Sequence, residues 1–535
     1  MKLNDDELQK KGQWEARGYR LPLFDRKKVR QATREAPLWI HFGAGNLFRA
    51  FPANLAQKLL DTGVLDRGLI VTEGSHYEVA ERIYRSHDNL CILAMLKSDG
   101  SVEKTVVGSI MESCVLDREN CTEFQRLEEI FKKDSLQMAS FTITEKGYRL
   151  TDGKGTLLSS VREDFAAGPE KSVSYMGKIA ALLYARFRAG EKPIALVSMD
   201  NCSHNGDKLY GAVRAFAAAW QENGRIEGDF LGYVTDREKV SFPWSMIDKI
   251  TPRPDDEIKK LLEEDGVEEL EPVVTSRGAY IAPFVNSEEC EYLVIEDWFP
   301  AGRPKLEQAG VFFTDRETVD KVEKMKVCTC LNPLHTALAV FGCLLGYERI
   351  SREMQDDDLK RLVEHIGYKE GLPVVTDPLI LNPKTFIDTV LNVRLPNPFM
   401  PDTPQRIATD TSQKLAVRFG VTIRAYADSE DRNVEKLVSI PMVLAGWLRY
   451  LMGIDDKGNP FPLSPDPLMD EIHSYIAGFR LGEDGDVSAL RPLLENEAVF
   501  GVNLYEVGIA DWVCGYLQEM LAGPGAVRAV LQKYV

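Results

Sequence analysis

From residue 37 to about 205, short apolar runs alternate with longer amphipathic stretches, the pattern of βαβ units on a parallel sheet. Four runs stand out. Residues 38–42 end at Gly43, residues 69–72 at Glu73, residues 139–144 at Glu145, and residues 194–198 run out toward Asp200 and Asn201. Each is continuous rather than alternating, as a strand covered on both faces would be, and each leaves on a glycine or a polar residue. In open α/β sheets ligands sit outside the carboxyl ends of the strands, so the four exits predict a single crevice, and the site is placed there. A further strand-like run at 292–295 reads as an extension of this first domain. From about residue 317 the apolar positions recur at helical spacing, with amphipathic runs at 332–347, 356–366, 384–393, 436–452, 488–495 and 511–521. The expected organisation is an extension over 1–36, an α/β parallel-sheet domain over 37–316 and a mostly α-helical domain over 317–535.

Composition narrows the function classes. The chain has 535 residues, with 65 Lys and Arg against 82 Asp and Glu, for a net charge of −17. Such a field repels nucleic acid and anionic membrane surfaces, so the expected partner is a small molecule. The acidic stretch 255–271 reads as a solvated helix face. The longest apolar stretches, 336–347 and 438–448, fall short of the roughly 18 residues that span a bilayer, and the opening residues carry no secretory signal. Nine cysteines, an odd number scattered over the chain, read as the reduced thiols of a cytoplasmic protein. The seven histidines lack metal-ligand spacing, and no metal is expected.

Several segments carry candidate chemistry beside a structural reading. Gly43-Ala44-Gly45-Asn46-Leu47-Phe48 follows the first strand and opens a helix, either a pyrophosphate-binding turn or a plain strand-to-helix turn; Phe48 replaces the third glycine of the dinucleotide fingerprint. Glu73 could accept ribose hydroxyls and repel a 2′-phosphate, favouring NAD over NADP, or be a solvated strand end. Asp200 to Gly206 could equally be an Asx-rich turn. Asn332-Pro333 makes a good helix start, and Lys326 near Lys321 and Lys324 could be a surface lysine. The functional alternative is that Lys326 exchanges a proton while amide side chains hold a developing alkoxide.

Together these segments resemble the polyol-specific long-chain dehydrogenase family, also called the mannitol dehydrogenase family. The resemblance rests on residues 41–46 with Phe48 and Arg49, on Thr144 to Tyr148, Asp200-Asn201 through Asn205-Gly206, and Phe242-Pro243 with Ser245 to Pro252. It continues through Ile295 to Asp297 with Gly302 to Pro304, Lys326 to His335, Arg394 with Asn397-Pro398, and Asp410 to Lys414. The family implies a Rossmann-type N-terminal domain, a helical C-terminal domain, NAD(H) bound without metal, and hydride transfer at a secondary alcohol in the cleft between them. By the same resemblance Lys326 is the acid/base, Asn201 and Asn332 polarise the carbonyl, His335 and Arg394 bind substrate, and Glu145 stands near the proton path. Gly43, Ala44, Gly45, Asn46, Leu47, Phe48, Arg49, Glu73 and Asp248 are the implied cofactor-binding set.

Lys326 stands six residues before Asn332, one more than is usual in the family, which implies either a local bulge or a different proton donor. Pro333 replaces a usual glycine, and Lys249 a common arginine. The likeness is closest to the hexuronate-reducing members, implying reduction of D-fructuronate to D-mannonate, with Arg394, Arg406 or Arg418 to meet the carboxylate. Tagaturonate reductase and mannitol 2-dehydrogenase activities are the alternatives, and a dinucleotide-binding sensor or structural protein the non-enzymatic one.

Overall fold

In the computed structural model, which describes residues 1–535, the four continuous runs all become strands of one parallel sheet. Its six members are β1 (Trp39–Phe42), β2 (Leu69–Glu73), β3 (Ile110–Val115), β4 (Met138–Phe141), β5 (Ile194–Ser198) and β6 (Val240–Ser241), in the order β3-β2-β1-β4-β5-β6. Every pairing is parallel. The order reverses direction between β1 and β4, the switch point of a doubly wound sheet. β1, β2, β4 and β5 are buried at every position, because helices cover both faces.

On one face the short helix α1 (Asn46–Ala50) and α2 (Pro52–Asp61) carry the chain from β1 to β2. The other face is packed by α3 (Cys121–Lys132), α4 (Tyr175–Arg188) and α5 (Asn205–Glu222), whose apolar sides share a core with Phe42, Phe141 and Leu196.

The run at 292–295 is a strand, but in a separate sheet. There β7 (Ser245–Asp248) lies antiparallel to β8 (Tyr292–Glu296), which runs parallel to β9 (Phe312–Thr314). A further sheet of four strands joins Tyr19–Arg20, Val102–Val107, Cys91–Leu96 and Phe284–Glu288. Residues 1–36 are woven into this unit rather than trailing from it. Trp14 is fully buried, Tyr19–Arg20 pairs with Val102–Val107, and Arg26 Nε donates to the Gly108 carbonyl at 3.0 Å. The acidic stretch holds the helix Asp256–Glu264, whose apolar Ile258 and Leu262 point inward.

The chain forms two compact units, Met1–Lys97 with Ser101–Asp320, and Ser98–Gly100 with Lys321–Val535. The second unit is helical. Its centre is α6 (Asn332–Leu345), packed on α7 (Ser439–Tyr450), which packs in turn on α8 (Ala510–Leu521). The continuous helical run Arg316–Leu345 is long and apolar enough to cross a membrane by composition, and 83% of its most apolar window is buried in the protein. The predicted helix at 488–495 is two short turns, Val487–Leu490 and Arg491–Leu494. Four segments here have π-helical geometry: Met325–Cys330, His365–Gly371, Val390–Arg394 and Ala416–Gly420.

Candidate active site

The loop after β1 is shaped by what glycine lacks. Gly43 has φ 110°, and a Cβ there would stand 2.2 Å from the Thr142 carbonyl oxygen beyond β4. Its N–H donates to the Thr72 carbonyl at 2.9 Å, so β1 and β2 stay in register to their ends. At Gly45 a Cβ would meet nothing within 4 Å; the backbone there faces open space, as a loop that receives a pyrophosphate must.

Glu73 emerges beside Gly43 although 30 residues separate them, since the crossover uses two helices instead of one. Its Oε2 accepts the Ala44 N–H at 3.2 Å, and its Oε1 accepts the Ser75 and His76 N–H groups at 2.8 and 2.9 Å. Tyr84 donates to the Ala44 carbonyl at 2.8 Å.

Phe48, in the place of the third glycine, is fully buried and stacks on His41 with ring centroids 4.2 Å apart. Glycine at that position brings helix and strand close together; here two aromatic rings fill the gap. Arg49 is also fully buried, donating to Asn46 Oδ1 at 2.7 Å and to the Ala282 carbonyl. Asn46 Nδ2 donates to the Pro252 carbonyl at 3.3 Å, and Leu47 packs against the core of this face. Phe48 and Arg49 thus support the loop from behind.

The exits of β4 and β5 are joined by a residue that sequence reasoning left out of the site. Asp200 accepts the Ile143 and Thr144 N–H groups at 3.0 and 2.8 Å and the Tyr148 hydroxyl at 2.5 Å. Burial pushes its carboxyl up from the usual carboxylate range, against the pull of the Tyr148 hydroxyl and the two amides. The bonds to Asp200 hold Thr144 at φ 62°, a costly conformation for a β-branched residue. Glu145 follows, exposed, its carboxylate 2.7 Å from Lys208 Nζ. That hydrogen bond and charge hold Glu145 below its ordinary value.

Asn201, next to Asp200, is exposed. Asn205 is fully buried; its Nδ2 donates to the Ser198, Asp200 and Ser245 carbonyls, and its Oδ1 accepts the Ser245 N–H, tying β5 to β7. Asp248 ends β7 and is buried. Lys249 donates to the Glu288 carbonyl at 3.0 Å and pairs with Glu291 at 2.9 Å, so the residue that stands for arginine does structural duty.

In the second unit Lys326 sits on the first π segment, buried. The Leu331 N–H donates to its carbonyl at 3.1 Å, a bond spanning five residues. Six residues at about 82° each in π geometry sweep about 490°, nearly the roughly 500° that five residues sweep at about 100° each in α geometry. The extra residue before Asn332 is absorbed by the π turn, the bulge that the spacing implied. Pro333 then occupies the first turn of α6, where its missing N–H costs nothing.

One turn on, His335 Nε2 lies 3.4 Å from Asp402 Oδ2, and Arg406 pairs with the other oxygen of that carboxylate. Asp402 carries no local sequence signal, since it meets His335 only through the fold. Thr336 donates to the Asn332 carbonyl at 2.9 Å and accepts from the Arg418 guanidinium. Burial pushes Arg418 down to about 10. Arg394 closes the third π segment, buried. In the 410–414 segment the Ser412 N–H donates to Asp466 at 2.9 Å, and burial lowers the Lys414 ammonium, with Arg418 adding repulsion.

The family model for the mannitol dehydrogenase Rossmann domain matches residues 38–308, and that for the mannitol dehydrogenase C-terminal domain matches 318–509. The chain is 51% identical over 538 residues to the D-mannonate oxidoreductase of Thermotoga maritima, covering 100% of this chain and 99% of that one. It is 28% identical to the polyol:NADP oxidoreductase of Gluconobacter oxydans, covering 82% and 84%. Among solved structures, Pseudomonas fluorescens mannitol 2-dehydrogenase in ternary complex with NAD and D-mannitol is similar with TM-score 0.69 and 26% identity over 100% and 99% of the two chains.

Proposed function

The chain belongs to the mannitol dehydrogenase family, and we propose from that premise that it interconverts D-fructuronate and D-mannonate with NAD(H), in the cytoplasm. The observation that carries the substrate is the full-length likeness to a D-mannonate oxidoreductase. The cofactor is NAD, and the residues of the first unit fit it: an open backbone at Gly45 and a carboxylate at Glu73. Three amides occupy Glu73, leaving one lone pair of Oε2 for a ribose hydroxyl. Nine cysteines, none of them in a disulfide, suit a reducing compartment.

When bound, NADH would supply a hydride for the ketone carbon. On this reading Lys326 supplies the proton to the oxygen, and Asn201 and Asn332 are the proposed donors to the developing alkoxide. His335 holds a substrate hydroxyl. Of the three candidate arginines, Arg394 is buried and Arg418 donates to Thr336, whereas Arg406 keeps 63% of its side chain exposed beside Asp402. Arg406 therefore joins Arg394 as our assignment for the uronate carboxylate.

The test follows NADH absorbance with D-fructuronate, D-tagaturonate and D-fructose, and NADPH as cofactor control. Fastest turnover of D-fructuronate with NADH is expected. Preference for D-fructose would overturn the uronate assignment, and silence with all three would favour a non-catalytic dinucleotide-binding role.

A further inference from the structure

The imidazole of His335 is held asymmetrically. Nε2 is buried and makes no hydrogen bond, and the Asp402 carboxylate stands beside it with Oδ2 at 3.4 Å. The His335 side chain keeps 16% of its surface exposed, and Nδ1 is the ring nitrogen turned away from that buried contact. Asp402 is itself fixed from three sides: buried, paired with Arg406, and anchored through its backbone carbonyl, which accepts the Ile350 N–H at 3.0 Å. A bare imidazole lone pair turned toward a buried carboxylate would place two acceptors face to face, whereas an N–H there satisfies both.

We propose that Asp402 is a positioning residue that fixes His335 in the tautomer with its proton on Nε2, so that the Nδ1 lone pair accepts a hydrogen bond from a substrate hydroxyl. A carboxylate partner behind an imidazole sets both tautomer and basicity in this way at metal sites, and the same electrostatics hold without a metal. Burial pushes the Asp402 carboxyl up, but the His335 N–H and the charge and hydrogen bond of Arg406 outweigh it and hold the group below the usual carboxylate range. It therefore remains an acceptor at neutral pH. The consequence for specificity is a substrate with a free hydroxyl, as donor, at the position His335 meets; an analogue lacking that hydroxyl loses the contact.

The inference rests on the reading that His335 meets the substrate, and two experiments on the full chain separate the two claims. In protein labelled with 15N-histidine, the His335 signals, identified by their absence in His335→Asn, are expected to show a protonated Nε2 and a bare Nδ1. Asp402→Ala removes that bias, and Asp402→Asn, whose amide oxygen can still accept from Nε2, restores it. The opposite tautomer in the wild type, or an unchanged spectrum in Asp402→Ala, overturns the proposal.

In kinetics, His335→Asn places an amide near the position of Nδ1 and His335→Gln near that of Nε2. The Asn variant is expected to retain about tenfold more kcat/KM than the Gln variant, and Asp402→Ala to lose about 10- to 100-fold, with NADH affinity unchanged in all three. Equal losses in the two His335 variants, or the reverse order, also overturn it. No kinetic effect in any variant would instead sink the substrate-binding reading, while the spectrum still decides the tautomer.

Discussion

The strand ends of the first unit and the start of α6 in the second solve opposite problems. Around Gly43 the shape is set by backbone, and the groups that set it are met: the Gly43 N–H by Thr72, Ala44 by Glu73 and Tyr84, and Thr144 by Asp200. Around Lys326 and His335 the shape is set by π geometry and paired side chains, and Nε2 of His335 has only a carboxylate at 3.4 Å to satisfy it. Three of the four π segments of the second unit end on or contain a candidate cation, Lys326, Arg394 or Arg418. A saturated loop suits a ligand shared by many reactions. A site of paired side chains suits the one substrate it must tell apart from others.

If that division holds, damage to each region should show in a different measurement. The largest effect is expected at Lys326. Replacement by Met should lower kcat about a thousandfold while NADH affinity, read by fluorescence quenching, stays within about twofold. A parallel loss of NADH binding would break the contrast.

Next is Gly43→Ala, which adds a Cβ against the Thr142 carbonyl at a positive φ. It should cost about 3 kcal/mol in denaturant unfolding and weaken NADH binding. Unchanged NADH affinity would show that the loop is not read by the cofactor.

The smallest effect, over the range pH 7 to 4.5, is a pH dependence confined to stability. Burial lowers His41 to about 3 in the folded protein, against about 6.5 for a free imidazole. Below about pH 6.5 the unfolded chain takes up a proton that the folded chain refuses. Its contribution is therefore complete above about pH 6.5 and declines by up to about 1.4 kcal/mol per pH unit toward pH 3. Urea titrations between pH 7 and 4.5 should show this slope and its loss in His41→Gln; an equal slope in the variant would assign it elsewhere.

The sheet was legible because parallel strands read as uninterrupted apolar runs with polar exits, and Gly43, Glu73 and Asn201 fall where the runs stop. The four-stranded sheet was not. Val102–Val107 carries Glu103 and Lys104, and although it pairs with the nearby Cys91–Leu96, the two outer strands, Tyr19–Arg20 and Phe284–Glu288, come from distant parts of the chain, so no local window contains the whole pattern. In the second unit, helical periodicity located α6, α7 and α8 but had no means of registering a π turn, which inserts one residue without altering composition. Asp200 lay within a motif that carries the resemblance yet outside the candidate set, since its role is to bond amides just beyond the end of β4. Asp402 depends wholly on tertiary packing.

The π turn at Met325–Cys330 also bears on how such chains change length. An insertion in an ordinary helix rotates everything downstream and is purged; one accommodated as a wider turn leaves α6 facing as before. Loss of a single residue between Lys326 and Asn332 should then be tolerated as the turn relaxes to α geometry, whereas the same deletion inside α6 should not. The segment next to the proposed proton donor is thus a place where lineages can differ in length while presenting the same atoms.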